Sequence, residues 1–449
     1  MNQSGSKEQM SQMRESVKNT VGWQRISALL DEGSFQEIDA YAKSGEGPAE
    51  AVAGYGTVEG RPVCVFSQNG SIAGGAMSKA QASKIKKTFR LALKIGCPVV
   101  GIYDSIGARL KEGADMLAAC GEILLDVNNL SGVVPQISLV LGPCVGTEAM
   151  VAAGADVVVM SPKGELTVST SGEDGSPATA EKQGVCHIAA ESEEEAIGTV
   201  RRLLSMLPSN NLAASPLEEE LAPGANESDT GLCGAVKSVC DGGSFLELSP
   251  HFGAGAVTGF ARIGGTATGF IGLSGVLDAD SCTKAARFLR FCDSFSVPVV
   301  TFVDAEKFSE LKDASKLSSA YSEATTAKIT VITGSACGPV YIATAGRGAN
   351  ADYTFAWPDA VISAVAPETA VALLWHDRLK GSDDPVNDRK KLIDEYRRTK
   401  ADAFSAAADG MIEDIVEPEN TRDKLIACLD MLASKRVSTL PKKHADIQL

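Results

Sequence analysis

The groups with chemical potential in this chain are main-chain amides set beside glycines, and they occur twice. Two apolar runs, 136–141 and 328–333, each lead through a short turn to a glycine, Gly146 or Gly338, and then to a stretch of small residues with helical character, 147–153 or 339–345. A glycine at such a turn lets a ligand approach the bare backbone, and the first amides of the helix have no carbonyl partner of their own. Amides aimed at a carbonyl oxygen stabilise the enolate that forms when a thioester loses its α-proton or α-carboxylate. Losing one such donor raises the barrier by roughly 3 kcal/mol. The same glycines also suit plain strand-to-helix turns, and spacing alone leaves both readings open.

Side-chain chemistry has weaker candidates. The four histidines, His187, His251, His376 and His444, are dispersed and read as structural or exposed residues rather than general bases. Eleven cysteines are scattered without a Cys-x-x-Cys pair or a metal-ligand spacing, so no metal is expected and the thiols read as small buried residues in a reducing compartment.

The elements that must position the two turns come from an internal duplication. Residues 83–104 align without a gap on 283–304, matching Lys84 to Lys284, Pro98-Val99-Val100 to Pro298-Val299-Val300, and Asp104 to Asp304. The register then drifts, yet the order of elements persists through both glycine turns. Ala155-Asp156 before Pro162 echoes Ala351-Asp352 before Pro358, and residues 31–35 resemble 241–245. Each half reads as helix, strand, interval, strand, with apolar runs suited to buried parallel strands in α/β layers. Pro216, Pro223, Gly224 and Asn226 break the periodicity between the halves, which places a domain boundary near residue 225 and gives domains 1–225 and 226–449.

The formal charge of −15 is spread over short clusters, and no basic stripe is present to neutralise phosphates, so nucleic acid is not an expected partner. No run approaches the roughly 20 apolar residues of a membrane span, and a cytoplasmic location is expected. Gly253-x-Gly255 followed by Gly259 has the wrong spacing for a dinucleotide loop.

The segment Asp104-Ser105-Ile106-Gly107-Ala108-Arg109-Leu110-Lys111-Glu112-Gly113 resembles the Asp-Ser-Gly-Gly-Ala-Arg, then Glu-Gly, signature of biotin-dependent acyl-CoA carboxyltransferases, such as the propionyl-CoA carboxylase β and methylmalonyl-CoA decarboxylase α subunits. Segments 131–144, 207–211, 284–293, 298–304, 320–325, 328–333 and 356–358 are also similar, so the resemblance runs from about 25 to 436. It implies two tandem crotonase-like α/β domains, with acyl-CoA bound mainly by the N-terminal half and biotin by the C-terminal half of a neighbouring subunit. A homo-oligomer, at least a dimer and in this family a hexamer, would then be required.

By the same resemblance, the amides of Ala108 and of Thr147, beside Gly146, hold the thioester oxygen, and the turn Gly338 to Val340 faces the ureido oxygen of biotin. Gly74-Gly75-Ala76 borders the CoA channel near Gly107, and Ile342 lies near the acyl group. Arg109 is a candidate for a CoA phosphate or for a capping or surface role. Ile106 and Thr147 stand where the family has glycine but keep their N–H groups. Pro339 also replaces a glycine and has none, leaving Val340 alone on the biotin side. The segments after Asp304 and at 170–183 are shorter than in the family.

The function implied is a carboxyltransferase subunit that moves a carboxyl group between the α-carbon of a short acyl-CoA, of malonyl or methylmalonyl type, and biotin on a separate carrier protein. No protein base is demanded. With no Met-Lys-Met biotinylation site and no room for an ATP-dependent domain, a biotin carboxyl carrier protein and either a biotin carboxylase or a membrane decarboxylase subunit are expected as partners. Pro339 and the shortened segments motivate a second reading, a non-catalytic paralogue that assembles with an active carboxyltransferase.

Overall fold

The computed structural model describes residues 3–45, 47–169, 172–224, 231–380, 382–437, 441–442 and 446. Residue 225, where the boundary was expected, and His444 lie outside them. The chain divides between Pro216 and Leu217 into two compact units.

In the first unit the strands are β1 (Gln36–Glu37), β2 (Ala51–Val58), β3 (Arg61–Gln68), β4 (Val99–Ser105), β5 (Gln136–Val145), β6 (Val157–Met160), β7 (Glu165–Thr167) and β8 (Ile188–Ala189). They form an eight-stranded sheet in the order β1-β2-β3-β4-β5-β6-β8, with β7 paired to the end of β5. The first three strands are antiparallel and the rest parallel. The second unit repeats this order with β9 (Leu246–Leu248), β10 (Ala256–Ile263), β11 (Thr266–Leu277), β12 (Val299–Phe308), β13 (Lys328–Cys337), β14 (Tyr353–Ala356), β15 (Val361–Ser363) and β16 (Asp414–Ile415), where β15 pairs with β13. Val100, Ile102, Leu139 and Val140 are fully buried, as are Val300, Phe302, Val331 and Ile332. Parallel strands covered on both faces account for these near-continuous apolar runs.

The helices that matter below are α1 (Val21–Leu29), α2 (Lys79–Ile95), α3 (Asp115–Leu130), α4 (Thr147–Ala153) and α5 (Glu193–Met206) in the first unit, and α6 (Gly231–Val239), α7 (Ala279–Ser294), α8 (Leu311–Glu323), α9 (Pro339–Thr344) and α10 (Thr421–Leu432) in the second. Helix α2 begins where the Ser78 hydroxyl accepts the Gln81 N–H, and it ends at Gly96, whose φ of 71° a side chain would disfavour. Its Ile85, Phe89 and Ala92 recur at helical spacing and are buried. On the outer face Lys79, Lys86 and Arg90 pair in turn with Asp115, Glu122 and Asp126 of α3. Such exposed pairs add little stability, but their common spacing suits one helix-to-helix register.

The duplication extends to the polar ties. The Asp31 carboxylate accepts the Gly60 and Glu59 amides and the Thr57 hydroxyl, and Arg201 of α5 lies against it. The Gly60 amide is the largest of the effects that hold this carboxyl at about 2. Asp241 accepts the Gly264 and Gly265 amides in the same way, with Arg422 of α10 in place of Arg201. Lys84 and Lys284 are both buried, and each donates from Nζ to main-chain carbonyls.

The expected drift in register sets in a few residues beyond the aspartates. The register holds past Asp304: Met77 bridges Ala108 while the Arg109 N–H donates to Met77, and Leu277 pairs with Phe308 while the Ser309 N–H donates to Leu277. The offset of 200 residues therefore persists to Ser309. Residues 106–109 and 306–309 share no identity, because what they share is a backbone path, so comparison of side chains could not show it.

Where β4 meets β5, the register jumps from Tyr103 opposite Val140 to Ser105 opposite Cys144; β12 and β13 show the same jump, from Val303 opposite Ile332 to Ala305 opposite Ala336. The arch so formed receives an aspartate. A Cβ on Gly142 would lie 2.3 Å from Asp104 Oδ1, and one on Gly334 would lie 2.1 Å from Asp304 Oδ1. Gly142→Ala and Gly334→Ala should each lower the free energy of unfolding by about 1–3 kcal/mol through overpacking. Gly121→Ala, on an open face of α3, should leave stability equal or raise it by up to about 1 kcal/mol. Urea unfolding of the three variants checks this.

Candidate active site

Adjacent parallel strands bring their C-terminal ends side by side, which is where open α/β sheets place ligands. In the first unit the turn after β4 is stitched to the loop before α2. The Ile106 N–H donates to Gly74 O (3.0 Å), the Met77 N–H to Gly107 O (2.9 Å), and the Arg109 N–H to Met77 O (2.9 Å). The Gly107 N–H is taken by the Ser105 hydroxyl at 3.1 Å. Ala108 lies in the middle of this stitching, is exposed, and its amide has no acceptor among the described residues.

The turn after β5 follows the same logic. Gly146 adopts φ 70° and ψ −129°, a conformation essentially restricted to glycine, and its N–H donates to Thr167 O at 2.8 Å. The next amide, that of Thr147 at the start of α4, has no acceptor among the described residues. A Cβ on Gly107 would lie 3.4 Å from Val145 O, so the two turns lie close together. Gly74, Gly75, Ala76, Gly107, Ala108, Gly146 and Thr147 thus occupy one end of the sheet. Gly75 is required there: a Cβ would meet Asp104 O at 2.1 Å.

Arg109 sits at this edge, but its guanidinium bonds the Ser44 hydroxyl (2.6 Å) and pairs with Glu50, a buried carboxylate that also accepts the Ser78 hydroxyl. This pair holds the turn from beneath. Asp104 is held by Arg25 of α1 at 2.7 Å, and Arg25 is bidentate to Glu193 of α5 at 2.9 and 3.0 Å. Neither Glu50 nor Arg25 was legible as a site residue, because each acts through the fold rather than through a local motif.

In the second unit the counterpart of Ala108 is Phe308. Alternation along a parallel ladder satisfies Ser309 on Leu277 and turns the Phe308 N–H away from β11. Gly338, at φ 50°, donates to Ser363 O at 2.9 Å as Gly146 does to Thr167. The counterpart of Thr147 is Pro339, comfortable as the first residue of α9 but without an N–H. Val340 follows and is buried, whereas Ile342 is 60% exposed. Beside Pro339 a groove of about 450 Å³ is lined by Ser315, Ser318, Ser319 and Ser322 of α8 with Ile342 and Ala343 of α9. Sequence reasoning named Gly338 and Val340 but missed Phe308, for the lack of identity given above. Among the described histidines, His187 accepts the Val158 N–H through Nδ1 at 3.0 Å, and His251 and His376 are exposed.

The profile of the carboxyl transferase domain matches residues 15–447. The chain is 36% identical to the propionyl-CoA carboxylase carboxyltransferase subunit of Haloferax mediterranei over 95% of this chain and 93% of that one. It is 35% identical to the methylmalonyl-CoA decarboxylase α subunit of Veillonella parvula over 95% and 92%. Among solved structures it is similar to the transcarboxylase 12S hexamer with methylmalonyl-coenzyme A and methylmalonic acid bound, with a TM-score of 0.92 and 30% identity over 100% of this chain and 99% of that one.

The two glycine turns differ in how much room they have. A Cβ on Gly146 meets only Val168 O at 3.9 Å, while one on Gly338 meets Ala364 O at 2.8 Å. Gly146→Ala should cost about 1–3 kcal/mol of stability from backbone strain, and Gly338→Ala should cost more because overlap is added to the strain. Chemical denaturation of both variants gives the order.

Proposed function

Since the chain belongs to the carboxyl transferase family, we propose that its first unit holds an acyl-CoA thioester oxygen on the Ala108 and Thr147 amides, and that its second unit offers Phe308 and Val340 to the ureido oxygen of biotin. The chain is an acyl-CoA:biotin carboxyltransferase with two tandem crotonase-like domains. The observation that carries the assignment is the pair of amides without acceptors among the described residues at the ends of β4 and β5, each flanked by satisfied ones: Gly107 and Arg109 beside Ala108, and Gly146 beside Thr147.

Loss of an α-carboxylate or α-proton leaves negative charge that spreads to the thioester oxygen. Ala108 and Thr147 meet that charge with fixed dipoles, so no reorganisation accompanies the reaction. Gly74, Gly75 and Ala76 let the CoA arm lie against bare backbone. The Arg109–Glu50 pair keeps the Ala108 turn in place. The second unit fits biotin: the Phe308 amide is turned away from β11, and the groove beside Pro339 has serine hydroxyls and open space. When bound there on its carrier, biotin supplies the ring nitrogen that gives or takes the carboxyl group.

The preferred substrates are short malonyl- or methylmalonyl-type thioesters. The partners are a biotin carboxyl carrier protein and either a biotin carboxylase or a membrane decarboxylase subunit, the chain itself having no described helix long and apolar enough to cross a membrane. The working site joins the first unit of one copy to the second unit of another, with Ile342 facing the acyl group, in a dimer or hexamer. The relatives are named as subunits of larger enzymes, and the transcarboxylase 12S neighbour is described as a hexamer, which supports this assembly.

The test is Thr147→Pro, which removes one donor at a helix position that accepts proline. In assays of malonyl- or methylmalonyl-CoA decarboxylation with carrier-bound biotin, kcat should fall about 10²–10³-fold with little change in KM; an unchanged kcat would overturn the assignment. Pro339 favours the second reading, a non-catalytic paralogue that assembles with an active relative. On that reading the wild type and Pro339→Gly both bind a CoA ester without turnover, and an active carboxyltransferase co-purifies.

A further inference from the structure

A carboxyl side chain lies at the oxyanion turn of the first unit and has no part in the scheme above. Glu148 is the second residue of α4 and is 1% exposed. An acid in the first turn of a helix ordinarily reaches outward to water and the free amides; this one runs inward. Its Oε2 accepts Gln68 Nε2 at 2.5 Å, and Gln68 Oε1 in turn accepts the Asp104 N–H at 3.1 Å. Among the described residues its Oε1 has no hydrogen-bond partner. The Ser105 hydroxyl, which accepts the Gly107 N–H, is also close enough to influence the carboxyl. The side chain therefore starts next to Thr147 and ends beneath the strand that carries Ala108.

We propose that Glu148 is a positioning residue that ties the first turn of α4 to the end of β4 through Gln68, with the Ser105 hydroxyl alongside, and so sets the spacing of the Thr147 and Ala108 donors. This rests on the assignment of those two amides to the thioester oxygen. The tie works with the carboxyl neutral. Burial pushes Glu148 up to about 7 against the opposing Gln68 hydrogen bond and the influence of the Ser105 hydroxyl. The groups facing it are Tyr103 and Asp104 of β4, Cys144 of β5, Cys120 of α3 and the uncharged Gln68 of β3. Tyr103, Cys144 and Cys120 are raised by their own burial and remain neutral, and the nearby cation, Arg25, is bound by Asp104 and Glu193. Once ionised, Glu148 would put a poorly compensated negative charge at a site built to receive one, weakening the donors.

The sign follows from linkage. The native state keeps a proton between the ordinary carboxyl value of 4.5 and about 7 that the unfolded chain releases, so stability from this group is lost as pH rises through that window. Unfolding midpoints of the full chain and of Glu148→Gln, followed across it, should diverge, the wild type losing stability relative to the variant; parallel curves would overturn the proposal. In malonyl-CoA decarboxylation, wild-type kcat should fall toward tenfold per pH unit above about 7, and Glu148→Gln should lose that limb. Glu148→Ala should lower kcat about tenfold at pH 6 with KM unchanged, and Glu148→Gln should restore it to within about threefold. An alkaline limb that persists in Glu148→Gln would overturn the positioning role. A Thr147→Pro variant with full activity would remove the oxyanion reading on its own, while the unfolding curves would still report on Glu148.

Discussion

An aspartate at the end of one parallel strand, received by a glycine in the arch of the next, is the constraint around which each unit is organised. Asp104 enters the arch at Gly142, and Asp304 the arch at Gly334. The arch shifts the strand register at that point. Beyond the last paired residues, Ser105 with Cys144 and Ala305 with Ala336, the turns present N–H groups to whatever lies past the sheet. The half-buried Asp104 and the exposed Asp304 are held differently: Arg25 with Glu193 for Asp104, and the Ser335 amide for Asp304. Removing a partner from the first arrangement would leave an uncompensated charge, which is why a salt bridge with little net stabilisation can still be structurally indispensable.

Duplication kept the frame and let the turns diverge. Sheet order, the aspartate-capped hairpins at Asp31 and Asp241, and the lysines Lys84 and Lys284 recur in both halves. At the site itself Thr147 corresponds to Pro339, Arg109 to Ser309 and Glu148 to Val340. The first half thus has two donors, an ion pair beneath one of them and a buried acid beneath the other. The second lacks the proline-position donor and has instead an open groove lined by serines.

The electrostatic setting accounts for the reliance on main chain. With a formal charge of −15, long-range steering of an anionic ester is unfavourable, and Arg25 and Arg109 near the first site are each paired with carboxylates. Backbone dipoles are neutral overall and act at short range, so they can stabilise charge in the transition state without depending on the sign of the surface.

Read by itself, the amino-acid sequence determined the duplication, the α/β class, the two glycine turns and the family resemblance, because apolar periodicity, strand-end aspartates and glycines that no other residue can replace leave marks in composition and spacing. Phe308, Glu50, Arg25 and Glu148 were decided only by the tertiary structure. A backbone amide has no side-chain signature, so Phe308 emerged once strand register showed it opposite Leu277. Glu50 and Arg25 acquire meaning from partners 59 and 168 residues away. Glu148 reads in sequence as an ordinary helix-start acid, and only packing reveals that it turns inward, since burial is a property of the assembled neighbours and not of the residue.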